Sequence, residues 1–158
     1  MTLGRISALL VVAAALASCA SPPPPPPPPT IVNLTLTAAE TLNPNAAGRS
    51  APVLVRVYEL ENPSAFEKAD FFQLFEKDSA ALGSSMKARE ELTLAPGANR
   101  TMTRTMTSGA KFIGVFAAFR DFENATWRQV VAVPDNKTTP ITATLSDRKL
   151  TAAAAAGS

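Results

Sequence analysis

Apolar and polar residues alternate with a period of two along most of the chain after residue 30, the pattern of strands buried on one face. In TIVNLTLTAA, Val32, Leu34 and Leu36 alternate with Asn33, Thr35 and Thr37. PVLVRVYEL sets Val53, Val55 and Val57 on one face, with Arg56 and Tyr58 on the other. A strand around ELTLA ends at the turn pair Pro96-Gly97, and RTMTRTMT opposes Met102 and Met106 to threonines. FIGVFAAF is almost wholly apolar, as in a central strand covered on both sides. Further strands are expected at residues 127–133 and 141–145. Seven short strands separated by turns predict an all-β sandwich.

One segment departs from this period. SAFEKADFFQLFEKD pairs Ser64 with Glu67 and Asp70 with Gln73, each an acceptor with Glu or Gln three residues later, as in a capping box. Phe71, Leu74 and Phe75 then share a helical face. Two short helices packed on the sandwich by their phenylalanines are expected, with the aromatic cluster read as core. The last segment, residues 151–158 (TAAAAAGS), reads as a disordered tail.

The N-terminus is of another kind. Arg5 precedes an apolar run at residues 6–16 that is too short to span a bilayer, and small residues follow it, so residues 1–18 read as a secretory signal. Leu16-Ala17-Ser18-Cys19 has the form of a bacterial lipobox, and Cys19 is the only cysteine in the chain. The cysteine is required because its sulfur takes a diacylglycerol group, and cleavage before it frees an amine for a further acyl chain. One chain binds a membrane only marginally; two or three make a lasting anchor. Ala20 is not the aspartate that retains enterobacterial lipoproteins at the inner membrane, which directs the chain to the outer membrane, periplasmic face. Residues 22–29 are eight consecutive prolines, a polyproline II spacer of about 25 Å that lifts a domain clear of the headgroups. The expected organisation is a signal peptide at 1–18, lipidated Cys19 and stalk at 19–30, and a single domain at 31–150.

Composition narrows the chemistry. The precursor carries a formal net charge of +2, with no basic face for nucleic acid. With Cys19 acylated, no thiol remains for a disulfide. The chain has no histidine, so no Ser-His-Asp or Cys-His triad can form, and a metal or haem would lack its usual ligands. Neither a cofactor nor a small-molecule substrate is expected. Ser84-Ser85-Met86-Lys87 spells the S-x-x-K pairing of penicillin-binding proteins and class A β-lactamases, but K-T-G is absent and the chain is too short for that fold. Asp121 and Glu123 bracket a hairpin turn, where acidic residues are ordinary. No enzymatic activity is expected.

What remains is the connection between the first two strands, ETLNPNAAGRSAP at residues 40–52, longer than a simple hairpin loop. Asn43-Pro44 starts a turn and Gly48 permits a positive φ, while Leu42 and Arg49 are its only large side chains. Long loops on rigid sandwiches are where binding concentrates. A second reading is a periplasmic glycan- or peptidoglycan-binding protein, which needs an exposed aromatic platform. Trp127 and Tyr58 are its candidates, and both fall inside strand patterns.

The series LNPNAAGRSAPVLVRVYEL, AFEKADFFQLFEKD, LTLAPG and FIGVFAAFRDFENATWRQVV, together with the lipobox, resembles the TssJ family of type VI secretion outer-membrane lipoproteins. The resemblance covers residues from about 31 to 150. It implies a transthyretin-like β-sandwich of seven to eight strands plus two or three short helices, without enzymatic activity. It further implies that the protein anchors the secretion membrane complex by binding the periplasmic C-terminal region of TssM. The family's contact element, the loop between strands 1 and 2, corresponds here to Leu42, Asn43, Pro44, Asn45, Ala46, Ala47, Gly48 and Arg49. The polyproline stalk is not part of the family pattern.

Overall fold

The computed structural model describes residues 24–155. The signal sequence and Cys19 expected at the N-terminus lie outside the described residues. The strands are β1 (Ile31–Ala38), β2 (Val53–Leu60), β3 (Met86–Leu94), β4 (Asn99–Thr105), β5 (Phe112–Ala117), β6 (Arg128–Ala132), β7 (Thr138–Ser146) and β8 (Lys149–Ala154). Helices α1 (Ser64–Lys68) and α2 (Phe71–Leu82) lie between β2 and β3, and short 3₁₀ turns occupy Gly83–Ser85 and Phe122–Asn124. Two four-stranded sheets, ordered β4-β1-β7-β8 and β3-β2-β5-β6, make the sandwich. β1 and β7 run parallel, and the other neighbours run antiparallel.

The core follows from the period of two. Val32, Leu34 and Leu36 of β1 meet Val53, Val55 and Val57 of β2 and Ile113, Val115 and Ala117 of β5 between the sheets. The opposite face of β2 and β5 presents Tyr58, Leu60 and Phe116 to Phe66, Phe71 and Leu74 of the helices, which form a second cluster. β5 is thus covered on both sides, as its apolar run predicts. Gly114 is small for a reason: a Cβ there would stand 3.0 Å from Leu60 and 3.2 Å from Phe66.

The helical insertion is fastened to the sheet by arginines. α2 loses helical geometry at Lys77 (φ −137°, ψ 33°), which leaves carbonyls of the preceding turn without their usual amides. Arg56 of β2 donates from Nη1 to the carbonyls of Leu74 and Phe75, both at 2.8 Å. Asp78 restarts the helix by accepting the Ser79 amide at 2.7 Å. The same carboxylate accepts from Tyr58 Oη at 2.9 Å and from Arg89 Nη1 at 2.7 Å. At the end of α1, Arg128 of β6 donates to the carbonyls of Phe66 and Ala69. Cations placed on C-terminal carbonyls satisfy orphan acceptors and the helix dipole together.

Four expectations need correction. Residues 151–154 are not a tail: β8 pairs with β7 from Ile141↔Ala154 to Ser146↔Lys149. Its alanines carry little strand propensity, and the hairpin partner supplies what propensity does not. Ser64 does not cap α1; Pro63 precedes the helix with a preset φ of −79°, and Asn62 Oδ1 accepts the Ser64 amide at 2.8 Å instead. The Asp70–Gln73 capping box on α2 is present as read. Phe75, expected in the core, is 38% exposed and Phe72 is 51% exposed, while Phe71 and Leu74 supply the buried face of α2. Lastly, β3 begins at Met86 rather than near Glu91; an edge strand carrying Lys87, Arg89, Glu90 and Glu91 has no alternation to read.

Burial would push the Asp78 carboxyl up, but the hydrogen bonds from Arg89 and Tyr58 hold it below the usual carboxylate range. The folded state therefore binds fewer protons here than the unfolded chain, and the stabilisation is present above about pH 4 and lost as pH falls. Asp78→Asn is expected to cost about 2–4 kcal/mol at neutral pH, since it leaves buried cationic and phenolic donors poorly matched. Urea unfolding from pH 7 down to about pH 3 should show a smaller loss of stability with acid in the variant than in the wild type.

Candidate functional site

The β1–β2 loop, residues 39–52, is a built structure rather than a solvated connection. Leu42 inserts into the core with no exposed surface, and the Ala51 amide donates to its carbonyl at 3.0 Å. Asn43 follows with φ +50°, a left-handed conformation that asparagine tolerates better than most residues. Its backbone amide and both polar atoms of its side chain are engaged. Its amide donates to the Asp147 carbonyl at 2.7 Å, its Nδ2 donates to the Pro52 carbonyl at 2.9 Å, and its Oδ1 accepts the Arg120 amide at 2.9 Å. One residue thus ties the β1–β2 loop to both other turns: its side chain holds the loop and the β5–β6 turn, and its backbone amide holds the β7–β8 turn.

Beyond this latch, Asn45 organises the tip. Its Oδ1 accepts the amides of Ala47 and Arg49 at 3.0 and 2.9 Å, its carbonyl accepts the Gly48 amide at 2.9 Å, and its own amide donates to the Arg49 carbonyl at 2.9 Å. Gly48 closes the turn at φ +74°. Ala46, Ala47, Gly48 and Arg49 are exposed, while Pro44 and Asn45 are half-buried. Of the eight residues expected to meet a partner, Leu42 and Asn43 have their side chains buried inside the fold, where they position the loop. The other six lie on or beside its surface.

Sequence reading missed what stands next to the loop. Pro44, Asn45 and Ala46 share a cleft of about 400 Å³ with Arg120, Asp121 and Arg148. Arg148 pairs with Asp121, whose other oxygen accepts from Asn124 Nδ2 at 2.8 Å; these two contacts hold the Asp121 carboxyl below its ordinary range. With residues from 151 read as a tail, the Asp147-Arg148 turn could not be seen as a hairpin end. Strand parity was the available signal: with eight strands, the turns after β1, β3, β5 and β7 all fall at one end.

The proline run enters the domain at the other end. Thr30 accepts the Met106 amide on its carbonyl at 2.9 Å and the Asn136 amide on its Oγ1 at 2.8 Å, so the domain's entry point is pinned to the β4–β5 and β6–β7 turns. β1 separates it from the loop end by eight residues, about 26 Å of strand.

The remaining sequence candidates have other occupations. Lys87 lies on β3 with Nζ 2.5 Å from Glu61 Oε2, and Ser84 sits in a 3₁₀ turn, so the S-x-x-K string is not one turn of an α-helix. Tyr58 is fully buried, and burial pushes its phenol up. Trp127 packs edge-on against Phe71 and Phe116 with the Arg128 guanidinium 4.6 Å over its ring. Tyr58 therefore offers no stacking face, and Trp127 is half-buried with one face already under a guanidinium. Among the described residues, no group of three or more His, Cys, Asp or Glu could hold a metal, and no helix is long and apolar enough to cross a membrane.

The family model for the type VI secretion lipoprotein, described as VasD, EvfM, TssJ and VC_A0113, matches residues 30–148. The chain belongs to the TssJ family of type VI secretion lipoproteins. It is similar to the solved lipoprotein TssJ1 of Pseudomonas aeruginosa at 39% identity and a TM-score of 0.79, over 83% of this chain and all of that one. It is also similar to a chain of a structure described as the type VI membrane complex, at 30% identity and a TM-score of 0.69, over 77% of this chain and 96% of that one. A third likeness, at 29% identity and a TM-score of 0.65, is to a chain of the structure described as the T6SS protein TssM C-terminal domain (869–1107) from EAEC; it spans 78% of this chain and 97% of that one. No curated protein matches the chain. Eight strands in two sheets with a short helical insertion are the TssJ fold, as the resemblance implied.

Asn43→Ala removes two side-chain hydrogen bonds and places alanine at a positive φ. It is expected to destabilise this TssJ-family domain by about 2 kcal/mol, and hydrogen exchange should show lost protection at the Arg120 and Ala51 amides. Gly48→Ala, strained only at the exposed tip, should cost about 1 kcal/mol and leave the Arg120 amide protected.

Proposed function

We propose that this lipoprotein anchors the type VI secretion membrane complex to the outer membrane by binding the periplasmic C-terminal region of TssM with the loop end of its sandwich. Acyl chains on Cys19 fix one end, the prolines space it from the bilayer, and the sandwich presents residues 44–49. The observation that carries this reading is polarity: Thr30 and the β1–β2 loop occupy opposite ends of β1. A domain hung from its N-terminus therefore turns that loop away from the membrane holding it. Binding and positioning are the whole mechanism, and no catalytic step is assigned to any residue.

The relatives support the partner. One solved neighbour is part of a structure described as the type VI membrane complex. Another belongs to the structure described as the TssM C-terminal domain, yet the matched chain is about half as long as the span 869–1107. A lipoprotein of this family standing beside TssM accounts for both that length and that fold.

The test uses residues 24–155, which contain every residue of both hydrophobic clusters and all of residues 30–148 matched by the family model. Binding to the cognate TssM periplasmic region is measured by calorimetry for wild type and for a variant with residues 44–49 replaced by Gly/Ser, sparing Leu42 and Asn43. The variant should keep its circular dichroism spectrum and lose binding by tenfold or more. Retained affinity would move the contact to another face, and no binding by wild type would end the TssM reading. In the full chain, Cys19→Ser should shift the protein from the outer-membrane fraction to the soluble periplasm.

A further inference from the structure

We infer that the cleft beside the β1–β2 loop receives an acidic side chain of the protein partner, with Arg120 as its anchoring cation. This deepens the TssM reading and rests on it. Three observations converge on the cleft. The first is rigidity: Asn43 bonds the walls to one another through Asp147, Pro52 and the Arg120 amide. A partner group entering there meets a preformed site and pays little to order it.

The second is charge. The lining contains two arginines and one aspartate. Both Asp121 oxygens are already engaged, one by Arg148 and one by Asn124. Among the described residues no carboxylate lies within salt-bridge distance of Arg120, although Arg56, Arg89, Arg104 and Arg148 each have one. Glu123 and Asp147 occupy the same turns, but neither lines the cleft. The pocket therefore holds one uncompensated guanidinium, and Arg49 on the exposed tip adds a second cation to the same end.

The third is surroundings. Pro44 and Ala46 give the cleft an apolar wall on the side of the loop, so a partner covering the loop also excludes water from the cleft. Exposed, an arginine–carboxylate pair is worth little. Desolvated at the centre of an interface, where the planar guanidinium can hold both carboxylate oxygens, it becomes an energetic anchor. The Arg120 side chain is exposed, and its place in the fold is held by its backbone amide. Replacing the side chain changes the cleft without loosening the latch.

The experiment measures affinity of residues 24–155 for the TssM periplasmic region at about 50 and 300 mM salt. The variants are Arg120→Glu, Arg120→Lys and, as a control of equal charge change at the stalk end, Lys137→Glu. The expected result is a loss of tenfold or more for Arg120→Glu, a smaller loss for Arg120→Lys, and no change for Lys137→Glu. Arg120→Glu should also bind with a weaker salt dependence than wild type. An acid-to-arginine substitution in TssM that rescues Arg120→Glu would identify the paired carboxylate. Wild-type affinity in Arg120→Glu, together with lost binding in the 44–49 variant, would overturn the cleft assignment and leave the anchor reading standing. No binding by wild type would remove both. Wild-type binding to phosphatidylglycerol vesicles that Arg120→Glu loses would assign the cleft to a lipid headgroup and overturn the protein partner.

Discussion

Everything at the loop end depends on β1 being held at both of its ends. Along its length it is bonded to β4 on one side and to β7 on the other, and its alternate side chains fill the space between the sheets. At its start, Thr30 is tied to the β4–β5 and β6–β7 turns. Past its end, the Ala39 amide donates to the Leu145 carbonyl at 2.8 Å, Leu42 is buried in the core and Asn43 is bonded to three segments. A strand fixed in this way cannot slide by one residue without exposing Val32, Leu34 and Leu36 to solvent. The distance and direction between the tether and the loop are therefore properties of the core, and a change of register would destroy the core before it could alter them.

The polar groups inside this molecule act as fasteners between elements that apolar contact alone would leave free to shift. Arg56 and Arg128 hold the helices by their carbonyls. Arg104 of β4 reaches Glu90 of β3 and Glu59 of β2, closing the edge where the two sheets would otherwise part. Glu59 is 4% exposed and also accepts the Thr107 amide at 2.7 Å, so a buried carboxylate pins the β4–β5 turn to the opposite sheet. Such groups add little net stability compared with a well-packed apolar substitute. What they supply is direction, because a hydrogen bond specifies an angle and a register while apolar burial specifies mainly area.

Strands that bury one face were legible because their period of two is written into the residues, as in β1, and β5, covered on both sides, was legible from its continuous apolar run. Elements whose stability comes from a neighbour were not. β8 is a run of Lys, Leu, Thr and alanines that becomes a strand only beside β7, and losing it hid the turn that carries Arg148. α1 starts on Pro63 and Asn62 rather than Ser64, since a capping box needs both reciprocal bonds and Ser64 offered only the residue types. The loop shows the same divide. Its length marked it as an exposed connection, and Asn43-Pro44 and Gly48 as one built on turns. No local signal distinguished Asn43 as a latch from Arg49 as a surface group, because Asn43 acquires its role from Arg120, 77 residues away.

In the proposed arrangement, the proline run extends the logic of β1 towards the membrane. A flexible linker of eight residues has a root-mean-square reach of roughly 15 Å and a broad distribution of directions. Eight prolines reach about 25 Å with a narrow one. The prolines meet a domain whose first residue is already pinned, and Pro28 and Pro29 themselves line a cleft with the β4–β5 turn. Contact with the fold is therefore continuous from Pro28 through β1 to the loop. In the proposed arrangement this concentrates the loop end within a thin layer of the periplasm at a set depth below the outer membrane. The effective concentration seen by a partner already standing at that depth rises, while an upright partner that fell short would gain nothing from the chain's flexibility. The length of the proline run then sets the partner's required reach, independently of the affinity encoded in the loop and the Arg120 cleft.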